Sequence, residues 1–221
     1  MPNSMQHIIV SVLSQKGGVG KSFLAKLLAT EFARLGRYSV LLADLDTSQR
    51  TSYRWAQRRK HLNIKPQLTV QSYEGLAELE RDTRRYQLTV CDGFATTDAK
   101  EAKQKITALG LSSNLVILPC SSSIEELEPQ IDLAGALIKA GVEKQRLLFV
   151  FNRLDSSKAS TRDARAYLQE TGFPIATEGI PAKPSLQSSA LEGRAGSETK
   201  YQQINQACRA LTKHIADLLE L

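Results

Sequence analysis

Gln15-Lys16-Gly17-Gly18-Val19-Gly20-Lys21-Ser22 is the stretch on which the reading of this chain turns. It follows an apolar run, Ile8 to Leu13, with the character of a buried parallel strand. It leads into residues 23–35, where Leu24, Leu27, Leu28, Phe32 and Leu35 recur at helical spacing. Strand, glycine-rich turn and helix in that order are the context a phosphate-binding loop requires. The glycines let the backbone curl so that several N–H groups converge, and the helix N-terminus adds positive potential at the same point. In such a loop Lys21 reaches the β- and γ-phosphates and the Ser22 hydroxyl ligates Mg²⁺.

Working outward, Gly36 is a plausible C-cap for that helix, and residues 38–43 (YSVLLA) read as a second buried strand ending in Asp44-Leu45-Asp46-Thr47-Ser48. Acids at the C-terminal end of a strand sit where open α/β sheets place their ligand chemistry. By alternation Asp44 and Asp46 share one face and Leu45 takes the other. The same acids serve equally well as turn formers or as the N-cap of the next helix. Residues 87–91 (QLTVC) form another strand, ending in Asp92-Gly93-Phe94-Ala95-Thr96-Thr97. An acid in that position, downstream of a phosphate loop, reads as the group that holds Mg²⁺ through a water, with Gly93 leaving room for loop movement. Further strands are expected over 68–71, 114–119 and 146–151, with an extended segment at 174–181. Helices are expected over 50–60, 73–85, 99–109, 124–140 and 159–170, with a short one inside 182–193 and a closing helix from Tyr201. The alternation indicates an α/β fold with a doubly wound, mostly parallel sheet, and 221 residues without a linker-like tract fit one domain over 1–221.

Composition bounds the function classes. The N-terminus lacks a basic-then-apolar signal, and no apolar run approaches the roughly 20 residues a bilayer needs, so a soluble cytoplasmic protein is expected. Cys91, Cys120 and Cys208 are far apart and read as buried small hydrophobes in a reducing compartment. His7, His61 and His214 are scattered, which argues against a structural metal site. The net charge of +6 leans toward an anionic partner such as nucleic acid. Arg50, Arg54 and Arg58, joined by Arg59 and Lys60, give the 50–60 helix a basic stripe with Tyr53 and Trp55 interleaved. That stripe is either a solvated face with Trp55 turned to the core or a surface for DNA or an acidic partner. Tyr201, Ile204, Cys208, Leu211, Ile215 and Leu218 recur at core spacing in the closing helix, whose polar face is not that of a membrane-seeking segment.

Lys16 makes the motif narrower than a general phosphate loop. KGGVGKS resembles the deviant Walker A motif of the ParA/MinD family of ATPases, and the likeness extends over essentially the whole chain. The resemblance implies a P-loop NTPase fold, ATP and Mg²⁺ as ligands, and an ATP-dependent homodimer in which Lys16 reaches the partner's nucleotide. It implies Lys16, Lys21 and Asp46 as catalytic residues, Asp46 orienting the attacking water. It places the nucleotide on Gly17, Gly18, Val19, Gly20, Lys21, Ser22 and Phe23, and Mg²⁺ on Ser22, Asp44 and Asp92. Asn152 and Arg153, at the end of the 146–151 strand, are the candidates for base recognition, although Asn152 also suits a simple turn. The chain starts directly on its first strand, as in the short ParA subclass without an N-terminal helix-turn-helix domain.

The implied activity is slow ATP hydrolysis stimulated by a small centromere-binding or adaptor protein. The implied cycle has a closed dimer that binds double-stranded DNA without reading sequence, on the nucleoid when ATP is bound, and drives plasmid or chromosome partition without a membrane. Arg162, Arg165, Lys183, Arg194, Lys200 and Lys213 are the DNA candidates, with the arginine helix as the competing surface. A positioning ATPase for a protein cargo is the alternative, and a membrane-recruited MinD-like regulator a further one. Iron–sulfur relatives are disfavoured for want of a cysteine pair. Three departures from the family pattern stand out: Thr47-Ser48-Gln49 replaces Pro-Gln, the Asp92 loop lacks its prolines, and Phe23 replaces a second hydroxyl that meets the α-phosphate.

Overall fold

The computed structural model describes residues 7–94, 99–154 and 157–221. Ala95, Thr96 and Thr97 of the Asp92 loop, Asp155, and the N-terminal stretch 1–6 lie outside the described residues. The strands are β1 (Ile8–Val12), β2 (Val40–Asp44), β3 (Thr69–Ser72), β4 (Leu88–Asp92), β5 (Leu115–Cys120), β6 (Leu147–Leu154) and β7 (Ile180–Pro181). They form one parallel sheet in the order β3-β2-β4-β1-β5-β6-β7. β2, β4 and β5 are buried along their whole length, which is why they read as continuous apolar runs rather than alternating ones.

The helices are α1 (Lys21–Arg34), α2 (Thr51–His61), α3 (Leu76–Thr83), α4 (Ala99–Ser112), α5 (Ile124–Lys139), α6 (Lys158–Glu170), α7 (Pro184–Leu191) and α8 (Gln202–Leu218). They cover both faces of the sheet. Leu24, Leu28, Trp55, Leu186, Cys208 and Leu211 pack with Val10, Leu42 and Val90, so α1, α2, α7 and α8 form one layer. Leu79, Ile106, Leu127, Leu137, Ala164 and Leu168 pack with Ile9, Leu41 and Val116, which puts α3, α4, α5 and α6 in the other. The three cysteines are buried and free, and burial pushes the Cys91 thiol up to about 12.

Several boundaries differ from the sequence expectation. α1 begins at Lys21, so Lys21 and Ser22 belong to its first turn. β6 runs through to Leu154, and Asn152 therefore lies within the strand. The 73–85 helix contracts to α3, with Tyr73 buried ahead of it. In α8 the core stripe is completed by Thr212 and Ala216, while the flanking Tyr201 and Leu218 stand in solvent, 48% and 51% exposed.

Arg59 is the clearest correction. Counted with the basic stripe, it is in fact 1% exposed. Ser52, Trp55, Ala56 and Arg59 fall at i, i+3, i+4 and i+7 and make the inward face of α2. A buried guanidinium needs its donors satisfied, and this one has them. Arg59 Nη1 and Nη2 donate to Glu198 at 2.6 and 2.9 Å, Nη1 also donates to the Gly193 carbonyl, and Nε donates to the Pro66 carbonyl. Its Cζ lies 5.5 Å from the Trp55 ring centroid. These bonds hold Glu198 below the usual carboxylate range despite burial, and tie α2 to the turn that leads into α8.

Candidate active site

Parallel strands deliver their C-terminal ends to one edge of the sheet, and β1 is flanked there by β4 on one side and β5 on the other. The loop after β1, Asp44 at the end of β2 and Asp92 at the end of β4 are thereby brought together, with Asp44 directly opposite Asp92 in the strand register. Gly20 has φ +98°, and a Cβ there would collide with the side-chain amide of Asn152. α1 has no side-chain cap and no acid in its first turn, so its leading N–H groups are left for an anion.

Lys21 Nζ donates to Ser14 Oγ at 3.2 Å, and Ser14 Oγ in turn donates to the Lys16 carbonyl at 2.7 Å. Burial lowers the Lys21 pKa, and the charges of Asp92 and Asp46 oppose the shift. Asn152 is 3% exposed and donates from Nδ2 to the Val19 carbonyl at 2.9 Å. Arg153 Nη1 donates to the Gly18 carbonyl at 2.6 Å. Both β6 candidates therefore grip the loop from beneath. With Gly18, Gly20, Phe23 and Lys26 they line a cavity of about 460 Å³, closed on its far side by Pro181, Ala182, Lys183, Pro184, Leu186, Gln187 and Ala190. Phe23 projects toward Gly196 and Cys208 rather than offering a polar atom to the loop.

The acids have divided tasks. Asp44 is fully buried; its Oδ2 accepts from the Tyr53 N–H at 2.8 Å and its Oδ1 from the Asp46 N–H at 3.2 Å. Asp44 thus caps α2, the structural alternative left open by the sequence. Burial raises its pKa, and those backbone N–H groups oppose the rise. Asp46 accepts from the Ser48 hydroxyl at 2.6 Å and from the Gln49 N–H at 3.0 Å, closing the turn in which Thr47-Ser48-Gln49 stands. Asp92 is 1% exposed; its Oδ2 accepts from the Ser52 hydroxyl at 2.6 Å, while its Oδ1 is buried without a hydrogen-bond partner among the described residues. Burial pushes its carboxyl up to about 6, moderated by Ser52. The Asp44 charge pushes the same way as burial, while Ser22 and the Lys26 charge favour the charged form.

An orphaned buried carboxylate oxygen beside a serine hydroxyl at a phosphate loop fits a hard divalent cation. Among the described residues no three His, Cys, Asp or Glu side chains cluster as a metal cage. One or two carboxylates plus substrate phosphates is the set that suits Mg²⁺ in particular. Gly93 has a packing reason: a Cβ there would lie 2.5 Å from the Val12 carbonyl oxygen.

Lys16 is exposed at the tip of the loop and donates from Nζ to the Glu125 carbonyl at 3.0 Å. That carbonyl is available because Pro129, four residues on in α5, has no N–H to give it. Gln130, the next residue, is 2% exposed and donates to the Leu13 and Pro119 carbonyls at 3.2 and 2.9 Å. It also accepts from the Gln15 N–H at 3.4 Å. Ser52, Lys26, Pro129 and Gln130 were not singled out from sequence. Only Pro129 carried a local signal, as a proline inside a helical pattern.

The six DNA candidates do not share a face. Arg162 and Arg165 belong to α6, in the layer opposite α7 and α8. Arg165 is committed to the Ala176 and Thr177 carbonyls. Lys183 lines the cavity beside the phosphate loop. Arg194 and Lys200 line a groove of about 600 Å³ with Ser185, Ser188 and Tyr201, and exposed Lys213 follows on α8. The Trp55 indole donates to the Arg194 carbonyl at 3.2 Å, so this groove adjoins α2, whose Arg50, Arg54 and Arg58 are exposed. Among the described residues no helix is long and apolar enough to cross a membrane.

Known proteins resemble this chain along most of its length. It is 29% identical over 194 residues to maintenance of carboxysome distribution protein A of Gloeobacter kilaueensis, which covers 87% of this chain and 85% of that protein. Among solved structures it is similar to MinD of Pyrococcus horikoshii complexed with Mg-ADP, with TM-score 0.74, 19% identity, and coverage of 96% of this chain and 97% of that one. It is also similar to a plasmid partition protein of Borrelia burgdorferi, with TM-score 0.63, 15% identity, and coverage of 96% and 99%. Residues 10–195 match the CobQ/CobB/MinD/ParA nucleotide binding domain, a span that begins within β1 and holds the phosphate loop, Asp44, Asp92 and the cavity. The chain belongs to that family of nucleotide-binding domains.

Proposed function

We propose that this chain is a Mg²⁺-dependent ATPase, folded as one domain, that dimerises on ATP and positions a cargo by binding DNA without reading its sequence. The observation that supports it is the convergence of Lys21, Ser22 and the unpartnered Asp92 Oδ1 at the N-terminus of an uncapped helix. In this reading Lys21 and the loop N–H groups bind the phosphates. Ser22 and Asp92 hold Mg²⁺, with Asp44 behind them, and Asn152, Arg153 and Lys183 surround the nucleoside. Mg²⁺, when bound, neutralises charge on the phosphate oxygens. Asp46 orients the attacking water, and Lys16, freed from Glu125, neutralises charge across the dimer.

The cargo reading has two branches. Plasmid or chromosome partition with a centromere-binding protein is the first, by likeness of fold to the Borrelia partition protein. Distribution of a protein assembly is the second, favoured by the 29% identity to a carboxysome distribution protein. Both place the ATP-bound form on the nucleoid and use an adaptor that stimulates hydrolysis.

The test is DNA affinity for unrelated duplexes titrated against salt, with ATP and then with ADP. About four phosphate contacts per subunit give a log–log slope near −3.6, and a dimer presenting two copies approaches −7. The steep slope is expected only with ATP. Charge reversal at Arg194 and Lys200 is expected to weaken all duplexes alike, and reversal at Arg54 and Arg58 less. Equal slopes with both nucleotides would remove the switch.

A further inference from the structure

α2 reaches the site at its N-terminus, and it does so without a cap of its own: Arg50 precedes it in a left-handed conformation and offers no side-chain hydrogen bond. The N–H groups of its first turn are taken instead by Asp44, through Tyr53 at 2.8 Å. That bond fixes the position of the residue before it, Ser52, which is fully buried. Its hydroxyl donates to Asp92 Oδ2 at 2.6 Å, the short distance of a charge-assisted bond. The other oxygen, Oδ1, is buried and has no hydrogen-bond partner among the described residues.

Buried polar atoms are almost always paired, and an exception calls for an explanation. The chain pairs one oxygen of Asp92 firmly and leaves the other without a hydrogen bond among the described residues, while Ser22 of the phosphate loop is close enough to favour the charged carboxylate. We propose that Ser52 is a positioning residue for Asp92, its hydroxyl holding Oδ2 so that Oδ1 stays directed at the Mg²⁺ site. The inference rests on the Mg²⁺–nucleotide reading above. The carboxylates then act in series: Asp44 seats α2, α2 seats Ser52, and Ser52 seats Asp92. Alanine at 52 would leave Oδ2 without its donor, and the carboxylate would be free to turn either oxygen toward Ser22. Threonine would keep the donor. Outer-shell partners of this kind are worth about 10–100-fold in metal affinity.

The experiment uses the full chain and equilibrium binding of a fluorescent ATP analogue, titrated with Mg²⁺ and repeated in excess chelator. For Ser52→Ala the Mg²⁺ concentration giving half-maximal enhancement should rise about 10–100-fold while chelator-state affinity stays parent-like. Ser52→Thr should restore the parent midpoint, and thermal melts of all three proteins check that each is folded. Ser52→Ala with a parent-like Mg²⁺ midpoint would overturn the assignment. Equal loss of affinity with and without Mg²⁺ would overturn it too, since that is how a merely structural latch behaves. A parent protein whose binding ignores Mg²⁺ would instead remove the metal reading on which the inference stands.

Discussion

Replacing Asp92 by asparagine should make the nucleotide-free protein more stable at neutral pH, even though the residue stands at the centre of the site. The carboxyl is 1% exposed, lies opposite Asp44 in the sheet, and has one oxygen without a partner among the described residues. Burial raises its folded pKa to about 6 from an ordinary 3.8. A carboxyl whose pKa is raised on folding binds its proton more tightly in the folded state. Folding stability is therefore highest below the ordinary value, declines as pH rises between about 4 and 6, and levels off above. A shift of about two pH units corresponds to about 3 kcal/mol.

Asparagine does not ionise, and its side-chain oxygen can still accept from Ser52. Asp92→Asn should thus gain up to about 3 kcal/mol at pH 8, which in a chain of this size is on the order of 6–12 °C in Tm. The gain should shrink toward zero as the buffer is taken down to pH 4. Thermal melts across that range in chelator, followed by melts with ATP and Mg²⁺, read both halves. The ligand should raise the parent's Tm and leave the variant's unmoved, the exchange of stability for function expected where a site holds an uncompensated charge. A variant no more stable than the parent at pH 8, or a difference independent of pH, would refute the reasoning.

Arg59→Ala leaves Glu198 with Arg34 as its remaining charged partner among the described residues and should cost about 3–5 kcal/mol, seen as a Tm drop on the order of 6–20 °C. Because Glu198 is held below its ordinary pKa of 4.5, the stability it confers is present above that value and lost as pH falls through the folded pKa; the variant should lose part of that acid sensitivity. Gly20→Ala combines a φ of +98° with a collision at Asn152 and should abolish nucleotide binding by equilibrium fluorescence, while the far-UV spectrum stays native. Pro129→Ala supplies the missing helical N–H to the Glu125 carbonyl, in competition with Lys16, so the unfolding free energy should rise by up to about 3 kcal/mol in a chemical melt.

What was legible in the sequence was local. Lys21 and Ser22 follow a strand and open a helix within a few residues, and Asp44 and Asp92 end apolar runs, so strand, loop and acid could be placed without knowing which strands pair. What was not legible is made by residues distant in the chain. Asn152 meets Val19 across 133 residues, Gln130 meets Leu13 across 117, and Arg59 meets Glu198 across 139. No periodicity within a window records such pairings. Arg59 did have a signal that the charges obscured: Arg50, Arg54 and Arg58 draw the eye to one stripe, whereas Trp55 and Ala56 fix the inward face and put Arg59 on it. The DNA candidates do not share one face, for a topological reason. α6 and α8 are close in sequence order but lie on opposite faces of the sheet, so basic residues gathered by position in the chain were divided by the fold. The same topology brings the Arg194 backbone against Trp55, and so the groove of Arg194 and Lys200 and the exposed arginines of α2, read from sequence as rivals, stand side by side on one layer. Their effects on DNA binding should therefore couple rather than add, since phosphate contacts on adjoining surfaces serve the same strand.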